Sequence, residues 1–156
     1  MKKDIFITWS NLYSLIRYGK TNPTEEVIAI LTGHVGDSKY IVQNVFHVHN
    51  VAINKRTFYE PDHNQFYNIL SGTTLLDKKS NNYLLGIFHT HVNSASVPSV
   101  IDIAHANYEG FYLIYSVSQD TVGTYYAYSS KNPNVHGART ENDEYGFDEA
   151  SLVVYR

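Results

Sequence analysis

Tyr83-Leu-Leu-Gly-Ile-Phe-His-Thr-His91, followed a short loop later by Ser99-Val-Ile-Asp102, is the stretch on which the reading of this chain turns. It reads as a strand whose end carries two histidines. Residues two apart on a strand share a face and lie about 6.6 Å apart, so His89 and His91 point the same way. Residues 94–98 make a loop, and Ser99-Val-Ile-Asp102 opens a helix expected to run to about Tyr108. An Asp in the first turn of that helix can face the strand the chain has just left. Two imidazoles and a carboxylate can then converge on one ion at about 2.0–2.1 Å, leaving a fourth tetrahedral position for water, which suits a catalytic rather than a structural zinc. Blander readings stand beside this one. A His-x-His pair is commonly two histidines on a polar face, and Ser99 with Asp102 is equally a capping sequence that satisfies free helix N–H groups.

Working outward, Gly110 ends the helix, residues 111–117 form a buried strand, and Gln119-Asp120 turns into an antiparallel partner over 121–128. Upstream, residues 5–8 suit a short strand. Ser10 can cap a helix with Leu12, Leu15 and Ile16 on one face and Gly19 as its stop. The run Glu25-Glu-Val-Ile-Ala-Ile-Leu-Thr-Gly33 reads as a strand buried on both faces, and residues 39–52 as its hairpin partner. Pro61-Asp-His opens a middle helix bearing Phe66, Ile69 and Leu70, with Leu76 a turn or two later. Residues 129–148 are polar and read as a long loop or mobile segment, and residues 150–155 as a closing strand. The sum is an α/β domain of the α+β type: a mixed, mostly antiparallel central sheet flanked by about three helices.

Composition sets the outer limits. A chain of 156 residues fits one domain. Twelve Lys and Arg against 15 Asp and Glu give a net charge of −3, no footprint for nucleic acid or an anionic membrane. The chain has no cysteine, which excludes disulfides, thiol nucleophiles and thiolate zinc sites. No stretch reaches the roughly 20 apolar residues that span a bilayer, and Met1-Lys-Lys-Asp4 does not open a secretory signal. A cytoplasmic protein is the expectation.

The spacing His-x-His-x7-Ser-x-x-Asp, with a Glu upstream on a neighbouring predicted strand, resembles the JAMM (MPN+) zinc metalloproteases. The resemblance takes in Pro23-Thr-Glu-Glu-Val-Ile-Ala-Ile-Leu-Thr-Gly33, Tyr59-Glu-Pro-Asp62, Gly86-Ile-Phe-His-Thr-His91, Pro98-Ser99 with Asp102, and Tyr112-Leu-Ile-Tyr-Ser-Val117. Every fixed position of the motif is present. It implies one JAMM domain over residues 1–156 with a cytidine-deaminase-like architecture. It also implies that His89, His91 and Asp102 ligate one Zn²⁺ per chain, and that Ser99 stabilises an oxyanion. The upstream Glu would be the general base. Aligning the apolar run and Gly33 with the family's strand selects Glu26, while Glu25 would lie on the opposite face; a slip of one residue exchanges them. Thr90 and Val92 depart from the His-Ser-His-Pro that family members commonly carry.

The function implied is hydrolysis of a peptide or isopeptide bond after the Gly-Gly tail of a ubiquitin or ubiquitin-like protein. A processing protease for a sulfur-carrier protein or another peptide is the alternative. A catalytically silent MPN scaffold is a third reading, but such members typically lose a ligand or the Glu. His47 and His49 alternate as His89 and His91 do, yet no carboxylate follows them at a helix start. His105 is placed to orient Asp102 from one helical turn away, or is simply exposed; His34, His63 and His136 are expected in turns or loops.

Overall fold

The structure is a computed structural model that describes residues 4–72, 82–105, 110–129 and 145–156. In chain order it runs β1 (Asp4–Thr8), α1 (Trp9–Thr21), β2 (Ile28–Val35), β3 (Lys39–Val48), α2 (His63–Ser71), β4 (Tyr83–His91), α3 (Val100–His105), β5 (Gly110–Ser116), β6 (Thr121–Ser129), β7 (Tyr145–Glu149) and β8 (Leu152–Tyr155). The strands form one sheet in the order β7-β6-β5-β4-β2-β3-β1-β8. Pairing is antiparallel at β2–β3, β2–β4, β5–β6 and β6–β7, and parallel at β1–β3, β1–β8 and β4–β5. The mixed, mostly antiparallel α/β sheet with three helices stands as expected.

The site depends on the β4–α3–β5 crossover. Strand β4 lies in the middle of the sheet, between β2 and β5, and eight of its nine residues are buried. That environment explains its near-continuous apolar sequence. One face of the sheet takes α1, whose Leu12 and Leu15 join Ile5, Ile7, Leu31, Val42 and Phe88 in the main core. Thr90 belongs to this face. His89 and His91, one residue to either side of it, belong to the other.

Several boundaries move. The cap of α1 is Thr8, whose hydroxyl accepts the Asn11 N–H at 3.2 Å, not Ser10. Gly19 does not stop the helix. A Cβ there would stand 2.8 Å from Thr90 Cγ2 and 3.0 Å from the Tyr115 ring, so glycine lets α1 lie directly on β4 and β5. The helix ends instead at Asn22, whose N–H closes on the Gly19 carbonyl, just before Pro23. Strand β2 starts at Ile28, leaving Glu25 and Glu26 in the approach to it, and runs past Gly33 to Val35. The β3 strand ends at Val48, and residues 49–62 form a connection of their own rather than more strand.

The polar segment at 129–148 is not loop throughout. Tyr145–Glu149 is the edge strand β7, fastened where Phe147 packs edge-on against Tyr112, 5.2 Å between centroids. The rest of that segment, Leu76, the last turn expected after His105, and His136 lie outside the described residues. No helix among the described residues is long and apolar enough to cross a membrane.

Candidate metal centre

Strand β4 delivers two imidazoles to one spot, and the loop after it returns a carboxylate to them. The start of that loop is stitched to the end of β5. The Val117 N–H donates to the His91 carbonyl at 2.9 Å, and Ser116 Oγ to the Ser94 carbonyl at 2.7 Å. Further along, the Ser96 carbonyl comes so close to Gly123 that any Cβ there would collide with it. The loop is therefore held onto β5 and β6, and α3 begins at a fixed place. Ser99 and Asp102 make a reciprocal cap. The Asp102 N–H donates to Ser99 Oγ at 3.0 Å, and the Ser99 N–H to Asp102 Oδ2 at 2.9 Å. The capping reading of this sequence is thus correct, and the cap aims Asp102 back at β4.

His91 Nε2 lies 2.9 Å from Asp102 Oδ2, His89 Nε2 lies 3.2 Å from the same oxygen, and the two Nε2 atoms are 3.2 Å apart. All three residues are buried. Ligand atoms about 2.0–2.1 Å from a tetrahedral ion stand about 3.3–3.4 Å apart, so the triangle is nearly the right size. The protonation pattern agrees. His91 Nδ1 stands 2.7 Å from the Ala95 carbonyl and can only donate to it, which leaves Nε2 of the neutral ring as a lone pair. That lone pair faces a carboxylate oxygen and a second imidazole nitrogen. With His89 in the same tautomer, two imidazole nitrogens and a carboxylate oxygen converge on one point, an arrangement that a cation between them would satisfy. His89, His91 and Asp102 could hold a metal ion.

Glu26 and Glu25 separate cleanly. Glu25 is exposed, whereas Glu26 is 5% exposed and its Oε2 is buried without a hydrogen-bond partner. The backbone around Glu26 is fastened on three sides. Its N–H donates to the Lys55 carbonyl at 2.6 Å, its carbonyl accepts Asn50 Nδ2 at 2.8 Å, and the next N–H, of Val27, donates to Thr90 Oγ1 at 2.9 Å.

A family model described as prokaryotic homologs of the JAB domain matches residues 10–131. The chain belongs to that family. Among solved structures, protein DSY2949 from Desulfitobacterium hafniense, determined in solution, superposes on the JAB chain with a TM-score of 0.70 at 17% identity. The match covers 97% of this chain and 93% of that one, a likeness of fold. No curated protein sequence matches the chain.

In this JAB domain the electrostatics follow from burial. Burial pushes the Glu26 carboxyl up to about 8, with Asp102 adding to the rise and His91 opposing it. Burial also works against an ionised Asp102, but the two imidazoles and the Ser99 N–H outweigh it and hold that carboxyl well below the usual range. Burial works against a charged His91, yet its bonds to Asp102 and Ala95 raise it above the ordinary value.

His34, His47 and His49 stand apart from this site, and the side chain of His105 lies outside the described residues. His47 stacks on Tyr18 with centroids 4.1 Å apart, and His49 is exposed. His34 is not in a turn but in β2, and His63 is the first residue of α2, 3.6 Å from Glu60. Sequence reasoning passed over two residues. Tyr59 lays its ring 4.5 Å from that of His89, whose Nδ1 is buried without a hydrogen bond; ring packing takes the place of the bond that holds His91. Asn50 donates to the carbonyls of Glu26 and Phe58 and accepts from the N–H groups of Ala52 and Glu60, tying the Glu26 segment to the connection that carries Tyr59. Tyr59 opens the Tyr59-Glu-Pro-Asp62 motif but carried no assigned role, and nothing marked Asn50.

Proposed function

We propose that this JAB domain is a zinc-dependent hydrolase. In this reading it cleaves the peptide or isopeptide bond after the C-terminal Gly-Gly tail of a ubiquitin or ubiquitin-like protein. The observation that carries the reading is the pairing of a three-ligand cluster with a buried Glu26 whose Oε2 has no other partner. His89, His91 and Asp102 would hold the zinc, which would supply Lewis acidity and lower the pKa of water towards neutrality. Glu26 accepts the proton of the attacking water at Oε2 and returns it to the departing amine. Burial makes Glu26 more basic than an exposed carboxylate, which suits a proton acceptor. Ser99 Oγ already accepts the Asp102 N–H, so its hydroxyl hydrogen remains to be donated to the developing oxyanion.

The test is a panel of ubiquitin, ubiquitin-like and sulfur-carrier fusions, incubated with the zinc-loaded protein and with the same protein after chelation. Cleavage after the tail that stops on chelation and returns with zinc supports the proposal. Cleavage indifferent to the chelator, or none across the panel, contradicts it.

A further inference from the structure

Beside the ligand cluster lies a cavity of about 480 Å³. Its walls include Phe58, Tyr59, Phe66, Ile87, Ile101 and Tyr112, and Asp102 also borders it. Tyr59 shares its ring between this cavity and His89, so an occupant sits directly beside the metal ligands. The volume falls within the roughly 300–1,000 Å³ usual for pockets that enclose small ligands. The wall is braced: Asn50 makes four hydrogen bonds of 2.8–3.0 Å, to Glu26, Phe58, Ala52 and Glu60, which fixes residues 50–60 against the base's own segment. The space is therefore built into the fold before any substrate arrives.

A tail ending in two glycines offers no side chain to fill such a space. Resting on the function proposed above, we infer that the cavity receives the side chain of the residue released as the free amine, and that this side chain is large and apolar, aromatic before aliphatic. Four aromatic rings in the wall favour edge and offset contacts with another ring. A cationic side chain gains less there. Asp102 Oδ2 is engaged by His89, His91 and the Ser99 N–H, and Glu60 is exposed, so an ammonium buried among the aromatic rings would find little to replace its water.

The experiment uses acyl-Gly-Gly-X-amide peptides with X as Phe, Leu, Ala, Gly or Lys, cleaved by the zinc-loaded protein. In parallel, phenylalaninamide, which mimics the released amine, is titrated into metal-free protein and followed by NMR. The expected result is a kcat/KM for Phe at least about tenfold above Ala, with Leu between them. Phenylalaninamide should shift the signals of Ile87, Ile101 and Phe66. Ile101→Trp, at a residue 42% exposed and so tolerant of bulk, should fill the cavity, abolish that binding and level the series. Phe66→Ala, which opens the wall, should weaken phenylalaninamide binding without filling the space. Equal rates for Phe and Ala, a preference for Lys, or phenylalaninamide binding that survives Ile101→Trp would each overturn the inference. If no peptide is cleaved while phenylalaninamide still binds the cavity, the proposed reaction fails and the chemistry of the pocket stands.

Discussion

Thr90 sits between His89 and His91 and is wholly buried, facing away from the candidate metal centre. Its Oγ1 accepts the Val27 N–H at 2.9 Å and its own N–H donates to the Val27 carbonyl at 3.1 Å, which bolts the residue after Glu26 onto β4. Its methyl fills the space against Gly19. Two substitutions divide these roles. Thr90→Val keeps the shape but strands a buried N–H, at a cost of about 1–3 kcal/mol. Thr90→Ser keeps the acceptor and gives up one buried methyl, about 1 kcal/mol. At roughly 2–4 °C per kcal/mol for a chain of this length, Thr90→Val should lower Tm by about 2–12 °C and Thr90→Ser by about 2–4 °C. Amide hydrogen exchange separates them further. Val27 should lose protection in Thr90→Val and keep it in Thr90→Ser, and turnover should fall more in the valine variant because the Glu26 segment is loosened. Unchanged Val27 protection in Thr90→Val, or a serine variant as slow as the valine one, would refute the bolt.

Other consequences can be measured on the same preparations. His89→Ala and Asp102→Ala should each lose zinc by elemental analysis, whereas His47→Ala with His49→Ala together should keep it, since those rings lie elsewhere. Ser99→Ala should retain zinc through the intact Ser99 N–H but lose about 0.5–2 kcal/mol of stability with the cap, read by chemical denaturation. The pH dependence of the metal-free protein follows from Glu26. Its carboxyl rises from 4.5 to about 8 on folding, so the folded state holds the proton more tightly. As far as this group is concerned, stability should be greatest below about pH 4.5 and should fall as pH climbs from there through 8, with a slope of at most about 1.4 kcal/mol per pH unit. Glu26→Gln should flatten that decline in denaturation curves taken from about pH 5 to 9.

The candidate site on β4 and α3 was legible because it is local. His89, His91, Ser99 and Asp102 come from one strand, one loop and one helix start, and strand and helix periodicity place all four without knowledge of the rest of the sheet. Glu26 was legible only through the likeness of its flanking run. It precedes β2 rather than lying within it, so strand alternation was not the reason it is buried; the anchors at Lys55, Asn50 and Thr90 are. Those anchors, with Tyr59, depend on how residues 49–62 fold back on β2 and β4, and no short-range pattern encodes that. Gly19 misled because a glycine near a helix end serves equally as a stop and as a point of close approach. Strand β7 was hidden for a different reason: Tyr145-Gly-Phe-Asp-Glu149 is an edge strand with polar neighbours, and pairing with β6 rather than apolar alternation defines it.

The central claim is that the metal ligands and the proton-transfer group are separate residues meeting at one site. Zinc content and cleavage rate measured together on Glu26→Gln test it most directly. The amide keeps the size of the side chain but cannot accept a proton at neutral pH. Zinc should stay at one per chain while turnover of a true substrate falls by at least about 10²-fold, with Glu25→Gln beside it fully active. A fully active Glu26→Gln, or one that loses its zinc along with its activity, would contradict the account.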